Sequence, residues 1–150
     1  MNSYVLGVAA TTFLVAIWHG NRVTGRRREA KIPYPNAYAS AESIASCTDP
    51  KEKQAKYLFN CAQRAHSNFL ENYPIALAGM LITGVKYPVT SAVTGAVWTI
   101  SRIFYATGYT RPDSTDGKGR YSGGIGGLFW LSQLTYVGLA LKMGFDLIMS

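Results

Sequence analysis

The sequence predicts an all-α integral membrane protein, a bundle of four transmembrane helices forming one domain. Three observations carry this reading. Hydrophobic residues make up 48% of the 150 positions, yet the mean hydropathy is only +0.04, so polar and apolar residues must be segregated along the chain. Charges gather at 22–31, 49–56 and 111–120, and the stretches between are nearly free of them; that is the pattern of a polytopic membrane protein. The basic residues are also one-sided. Of the 15 Lys and Arg, nine lie within 22–64 and four within 102–120, leaving Lys86 and Lys142 for the other side. By the positive-inside rule the first and third connections face the cytoplasm and both termini face away from it. The net charge of +7 would also suit nucleic acid, but no nucleic-acid motif accompanies it.

The first helix is expected at 4–24. Its basic residues follow the apolar run, whereas a secretory signal carries them in front, so the segment reads as an uncleaved span. His19 falls at the interface, with no second histidine at metal-ligand spacing. Residues 25–54 form a polar connection in which Pro33 and Pro35 exclude a regular helix and 39–45 makes at most a short helical turn. Thr48-Asp49-Pro50 reads as a helix start. The second helix, 51–85, is too long at about 1.5 Å per residue for a hydrocarbon layer of about 30 Å, so its first turns project from the membrane. Pro74 should bend it beside Glu71. Lys86-Tyr87-Pro88 turns the chain into the third helix, 89–109. A polar loop over 111–121 leads to the fourth, 122–148, which opens on Gly123-Gly124-Ile125-Gly126-Gly127. That run lacks phosphate-loop spacing and no strand precedes it. Gly123 with Gly127, and Ser91 with Gly95, suit close helix contacts. Cys47 and Cys61 give neither a metal-ligand spacing nor a disulfide framework, and no metal is expected.

The chemistry concentrates where the second helix enters its apolar run. Arg64, Asn68 and Glu71 stand at i, i+4 and i+7, one stripe of a helix, and charges at a membrane entrance are expensive unless partnered or wet. On the third helix Arg102, Tyr105 and Tyr109 share a face. From the turn at 86–88, rise alone puts Glu71 and Tyr105 both about 22–26 Å away, near the cytoplasmic surface. Arg120 and Arg27-Arg28 close the same level. One carboxylate, several guanidiniums and two phenols suit a small zwitterionic, mostly anionic ligand, and an arginine beside a ligand thiol would favour the thiolate. Each residue also has a structural alternative: Arg64 pairing with Glu71 along the helix, Arg102 snorkelling, the tyrosines forming an interfacial belt, Arg27 and Arg111 acting as topology signals.

The stretch Arg64-Ala65-His66-x-Asn68-x-x-Glu71-x-x-Pro74 resembles the signature of the MAPEG family, the membrane-associated proteins of eicosanoid and glutathione metabolism. Arg102-x-x-Tyr105-x-x-Gly108-Tyr109 is similar to the second family motif. The resemblance implies a homotrimer in the endoplasmic reticulum or outer mitochondrial membrane, with glutathione as co-substrate bound between protomers at the cytoplasmic side. It implies conjugation of the thiol to lipophilic electrophiles, or reduction of lipid hydroperoxides. By position, Arg64, His66, Asn68, Glu71, Tyr105 and Tyr109 resemble glutathione contacts, as does Arg27 at the end of the first helix. Arg120 resembles the thiol-activating arginine, with Arg102 second and Tyr105 as rival. The loop 112–119 and the connection 39–57 are longer than in the branches compared.

The resemblance also admits a second class, a non-catalytic lipid-binding or scaffold protein. A small transporter is disfavoured, because the charges collect at one surface rather than tracing a path across the membrane.

Overall fold

In the computed structural model residues 2–113 and 116–149 are described. The expected placement of the extreme ends opposite the cytoplasm concerns Met1 and Ser150, which lie outside the described residues. The elements are α1 (Ser3–Ala30), a short α2 (Ala41–Ala45), α3 (Pro50–Thr83), α4 (Pro88–Tyr109) and α5 (Leu128–Met149), with 3-10 turns at Lys118–Tyr121 and Ile125–Gly127.

Local chemistry sets the ends of these helices. The Asn2 side chain accepts a hydrogen bond from the Tyr4 amide at 3.0 Å and caps α1. The helix then runs beyond the expected end at 24, through Arg26-Arg27-Arg28, and closes on Lys31 in the left-handed region at φ 55. Basic side chains suit the negative end of a helix dipole, so the arginine run extends α1 rather than ending it. Asp49 caps α3 by accepting from the Lys51 amide at 2.9 Å, and Pro50 takes the first helical position, where its missing N–H costs nothing. The fourth long helix starts at Leu128 rather than 122. Gly123 and Gly124 adopt φ 72 and 76, a conformation no right-handed helix contains. A Cβ on Gly123 would meet nothing within 4 Å, so this glycine makes a turn and not the expected helix contact.

The α3 and α4 helices form the central pair; α1 packs on both from one side and α5 from the other. At the end near the α3–α4 turn, Val5, Met80, Ala92 and Tyr136 form one cluster. Here the expected Ser91–Gly95 approach is present. A Cβ on Gly95 would fall 2.6 Å from Met80 Cε, and Ser91 Oγ donates to the Met80 carbonyl at 2.6 Å. Towards the other end Phe69, Trp98, Tyr105 and Phe129 fill the core. His19, expected at the interface, is 2% exposed and stacks on Phe69 at 4.6 Å. It is a core residue, because α1 turns that face into the bundle.

Judged by length and apolar composition alone, α1 is the one described helix that qualifies as a membrane span. The other long helices fall short because each carries strongly polar residues; Arg64, Glu71 and Lys142 are exposed, while others point inward. Asn72, Arg102 and Gln133 are 8%, 0% and 5% exposed. Large apolar side chains such as Ile75, Ile100, Leu131 and Leu141 are exposed instead. Polar groups inside and apolar groups outside is the arrangement a lipid solvent selects.

Candidate functional site

The α3 stripe and the α4 face predicted to meet do meet. Arg64 Nη1 donates to Glu71 Oε1 at 2.8 Å, with both side chains half exposed. Asn68 lies between them on the helix, and its Nδ2 approaches Glu71 Oε2 at 3.4 Å. Across the helix pair, Arg102 Nη2 donates to Asn68 Oδ1 at 2.9 Å. Arg102 is fully buried, its guanidinium lying over Tyr105 at 4.5 Å and Phe129 at 4.4 Å. Tyr105 meets Tyr109 edge-on at 5.7 Å. The Arg120 guanidinium covers Tyr109 at 4.9 Å and Tyr121 at 4.8 Å, while its Nη1 donates to the Gly117 carbonyl at 2.7 Å. Arg64, Asn68, Glu71, Arg102, Tyr105, Tyr109 and Arg120 thus form one connected array within the single chain.

Two glycines allow the loop carrying Arg120 to approach. A Cβ on Gly108 would come within 2.2 Å of the Gly119 carbonyl oxygen, and one on Gly126 within 1.9 Å of the Arg120 carbonyl oxygen and 3.3 Å of Tyr105 Cα. Beside the array lies a cavity of about 420 Å³ bounded by Tyr38, Asn60, Cys61, Arg64 and Tyr109. In the flanking loop, a hydrogen bond from Arg111 holds the Asp113 carboxyl below the ordinary aspartate range, so the loop's own ion pair is already matched.

The electrostatics favour an anion. The array holds three guanidiniums and one carboxylate, and Arg102 is linked to that carboxylate through Asn68. Among the described residues Arg102 Nε and Nη1 have no hydrogen-bond partner, nor does Arg120 Nε. Buried cationic donors without a directly bonded anion are costly, and a carboxylate or thiolate would offset that cost.

Two of the predicted residues stand apart from the array. Arg27 is 8% exposed. Its guanidinium is held between Tyr34 at 4.3 Å and Phe59 at 4.7 Å, and Nη1 donates to the Asn36 carbonyl at 2.6 Å. It anchors the connection after α1. His66 turns towards α1 and stacks with His19 at 5.9 Å; two residues from Arg64, it lies on the opposite face of α3.

Sequence reasoning missed several neighbours. Phe129 packs against the Arg102 guanidinium, and Cys61, which its spacing marked for neither a metal nor a disulfide, lines the cavity. Gln133 joins the array through Asn72: its Nε2 donates to Asn72 Oδ1 at 3.0 Å and to the Asn72 carbonyl at 3.3 Å. The signal was available, since a glutamine inside an apolar helix is expensive in lipid and asks for a partner. Among the described residues no group of three or more His, Cys, Asp or Glu converges as a metal site would.

The sequence profile of the MAPEG family matches residues 5–142. The chain belongs to the MAPEG family. That family is membrane-associated and includes glutathione transferases, glutathione-dependent peroxidases and leukotriene synthases, alongside some non-catalytic members. Its members use glutathione, a tripeptide with two carboxylates, one ammonium and one thiol. The residues present fit such a ligand in charge: the guanidiniums outnumber the one carboxylate, and buried donors on Arg102 and Arg120 lack a partner among the described residues.

Proposed function

We propose that this MAPEG protein binds glutathione on the array at the cytoplasmic end of α3 and α4 and joins its thiol to lipophilic electrophiles. The reading places it nearest the type 3 microsomal glutathione transferases. Its main support is the hydrogen-bonded line Arg64–Glu71–Asn68–Arg102, which puts half-exposed charges and a fully buried guanidinium in contact. Arg64 and Asn68 hold carboxylate, Glu71 takes the ammonium, and Tyr105 and Tyr109 position the chain of the tripeptide. Arg120, then Arg102, stabilises the sulfur as thiolate. Arginine suits this because it stays protonated.

In conjugation the thiolate attacks the electrophilic carbon and the leaving group departs with its electron pair. With a lipid hydroperoxide it attacks the terminal oxygen, the O–O bond breaks, and the alkoxide takes a proton to give the alcohol. A second glutathione then displaces hydroxide from the oxidised sulfur, giving the disulfide and water.

The working form is a homotrimer with the site between adjacent protomers. Supporting this, the Arg64–Glu71 stripe continues along an exposed face of α3 through Pro74 and Ile82, which a neighbouring copy would cover. The membrane is that of the endoplasmic reticulum, with the outer mitochondrial membrane as the alternative, and the site faces the cytoplasm. An impermeant maleimide then labels Cys47 in sealed vesicles; protection until lysis would reverse the topology.

The decisive experiment is calorimetry of glutathione with detergent-solubilised protein, paired with turnover of a chromogenic electrophile. Arg64→Ala and Glu71→Ala should each weaken binding by about 1.5–3 kcal/mol, the worth of a charge-assisted hydrogen bond. Unchanged affinity in both variants overturns the assignment. Fatty-acid binding without turnover would favour the scaffold class instead.

A further inference from the structure

Pro74 lies inside α3, one turn from Glu71. It brings no N–H to the ladder and leaves the Leu70 carbonyl without its helical donor. A helix weakened at that point would hold Asn68 and Glu71 poorly, yet the array depends on Asn68 bridging Glu71 and Arg102. The α5 helix reaches across to this segment. Gln133 donates to both the carbonyl and the side chain of Asn72. Asn72 Nδ2 in turn donates to the Asn68 carbonyl at 2.7 Å. Both amides are buried, at 8% and 5% exposure.

We propose that Gln133, acting through Asn72, is a positioning residue for the glutathione array: a relay of buried amides from α5 fixes the α3 backbone at Asn68 and so sets where Asn68 meets Arg102. The proposal rests on the glutathione reading above. Packing alone does not require the pair, because two apolar side chains of similar volume would hold α3 to α5 in lipid at least as well. What an amide pair adds is direction. Each of these bonds ends on a named atom of the segment that carries the site.

The two explanations separate in a double variant. Gln133→Met keeps length and removes the donors; it leaves Asn72 Oδ1 buried without its partner, so both thermal stability and glutathione affinity should fall. Adding Asn72→Val removes the stranded group as well. Replacing both members of a buried polar pair by apolar groups restores stability, so the melting temperature should return to near the wild-type value. On the relay account glutathione affinity does not return. The dissociation constant stays raised by about tenfold, the equivalent of one lost hydrogen bond, and KM for glutathione rises more than kcat falls.

Amide hydrogen exchange over 68–76, measured without glutathione, should be faster in the double variant than in wild type. Recovery of affinity together with stability overturns the positioning role. Unchanged exchange overturns the brace itself. Failure of the wild-type protein to bind glutathione overturns the functional reading and the relay's role in binding with it, while the exchange measurement still decides whether the brace exists.

Discussion

The two ends of the bundle treat buried polar groups differently. Near the α3–α4 turn every such group has a partner close by. Thr83 Oγ1 donates to the Gly79 carbonyl at 2.8 Å, Ser91 to the Met80 carbonyl at 2.6 Å and Tyr136 to the Ser91 carbonyl at 2.9 Å. At the opposite end and in the adjoining middle, His19 Nε2, His66 Nδ1, Trp98 Nε1, Arg102 Nε and Nη1, and Arg120 Nε have none among the described residues. A scaffold gains nothing from an unpartnered buried donor, since leaving one costs about 1–3 kcal/mol. The first end is therefore built for stability. The second keeps hydrogen-bonding capacity that an anionic ligand can use. The same four helices supply both, and the difference is which side chains they turn inward at each depth.

Substitutions at matching positions break that comparison cleanly. The largest effect is expected at Arg102. Arg102→Met removes the buried cation while roughly keeping volume; kcat/KM with a chromogenic electrophile should fall by about 1,000-fold, as when an electrostatic stabiliser of a reacting anion is lost. Retained turnover would show that the buried guanidinium serves the fold alone. Next come two glycines. At Gly126 a methyl group would lie 1.9 Å from the Arg120 carbonyl oxygen, and backbone cannot yield as a side chain does. Gly126→Ala should displace the Arg120 loop and reduce turnover by about 100-fold, the cost of misplacing a catalytic group by about 1 Å. At Gly95 the obstructing atoms are the end of Met80 and the Tyr136 hydroxyl, at 2.6 and 3.0 Å. Gly95→Ala should cost about 1–3 kcal/mol of stability through overpacking and leave glutathione affinity alone. The smallest effect is Tyr136→Phe, which deletes one hydrogen bond worth about 1 kcal/mol. Chemical denaturation should detect it and glutathione calorimetry should not.

The sequence-based reading was most accurate where spacing alone determines geometry. The i, i+4, i+7 stripe of Arg64, Asn68 and Glu71, and the matching rise to Glu71 and Tyr105, placed two helix faces at one depth, and the Asn68–Arg102 hydrogen bond joins them. It was least informative where rotation about a helix axis decides. Arg27 and His66 lie near the right depth, but one is clasped by Tyr34 and Phe59 and the other stacks on His19. The turn of His66 away from Arg64 follows from spacing, since two residues carry it to the opposite face of α3, whereas the clasp on Arg27 does not, because its packing partners come from distant segments. Gln133 was overlooked for the same reason: its partner Asn72 is on another helix, and only the assembled bundle brings them together. The glycine run before α5 misled in a further way. Small residues four apart suit helix contacts, but positive φ at Gly123 and Gly124 makes them a turn, and conformation is not visible in spacing.

The central claim is that the cationic end of the bundle holds glutathione as its thiolate. The most direct test is the ultraviolet thiolate absorbance of bound glutathione, titrated against pH in the wild-type protein and in Arg120→Ala, Arg102→Ala and Tyr105→Phe. An ordinary cysteine thiol titrates near about 8.5; a neighbouring guanidinium lowers that value and burial in an apolar site raises it. In wild type the bound thiol should titrate below the free value, so the thiolate fraction at neutral pH is enlarged. Loss of the activating arginine should move the titration upward, with turnover depressed at neutral pH and partly recovered as pH rises, while Tyr105→Phe leaves it nearly in place. A wild-type thiol titrating at its free value, or a shift abolished by Tyr105→Phe and untouched by either arginine variant, would contradict the account.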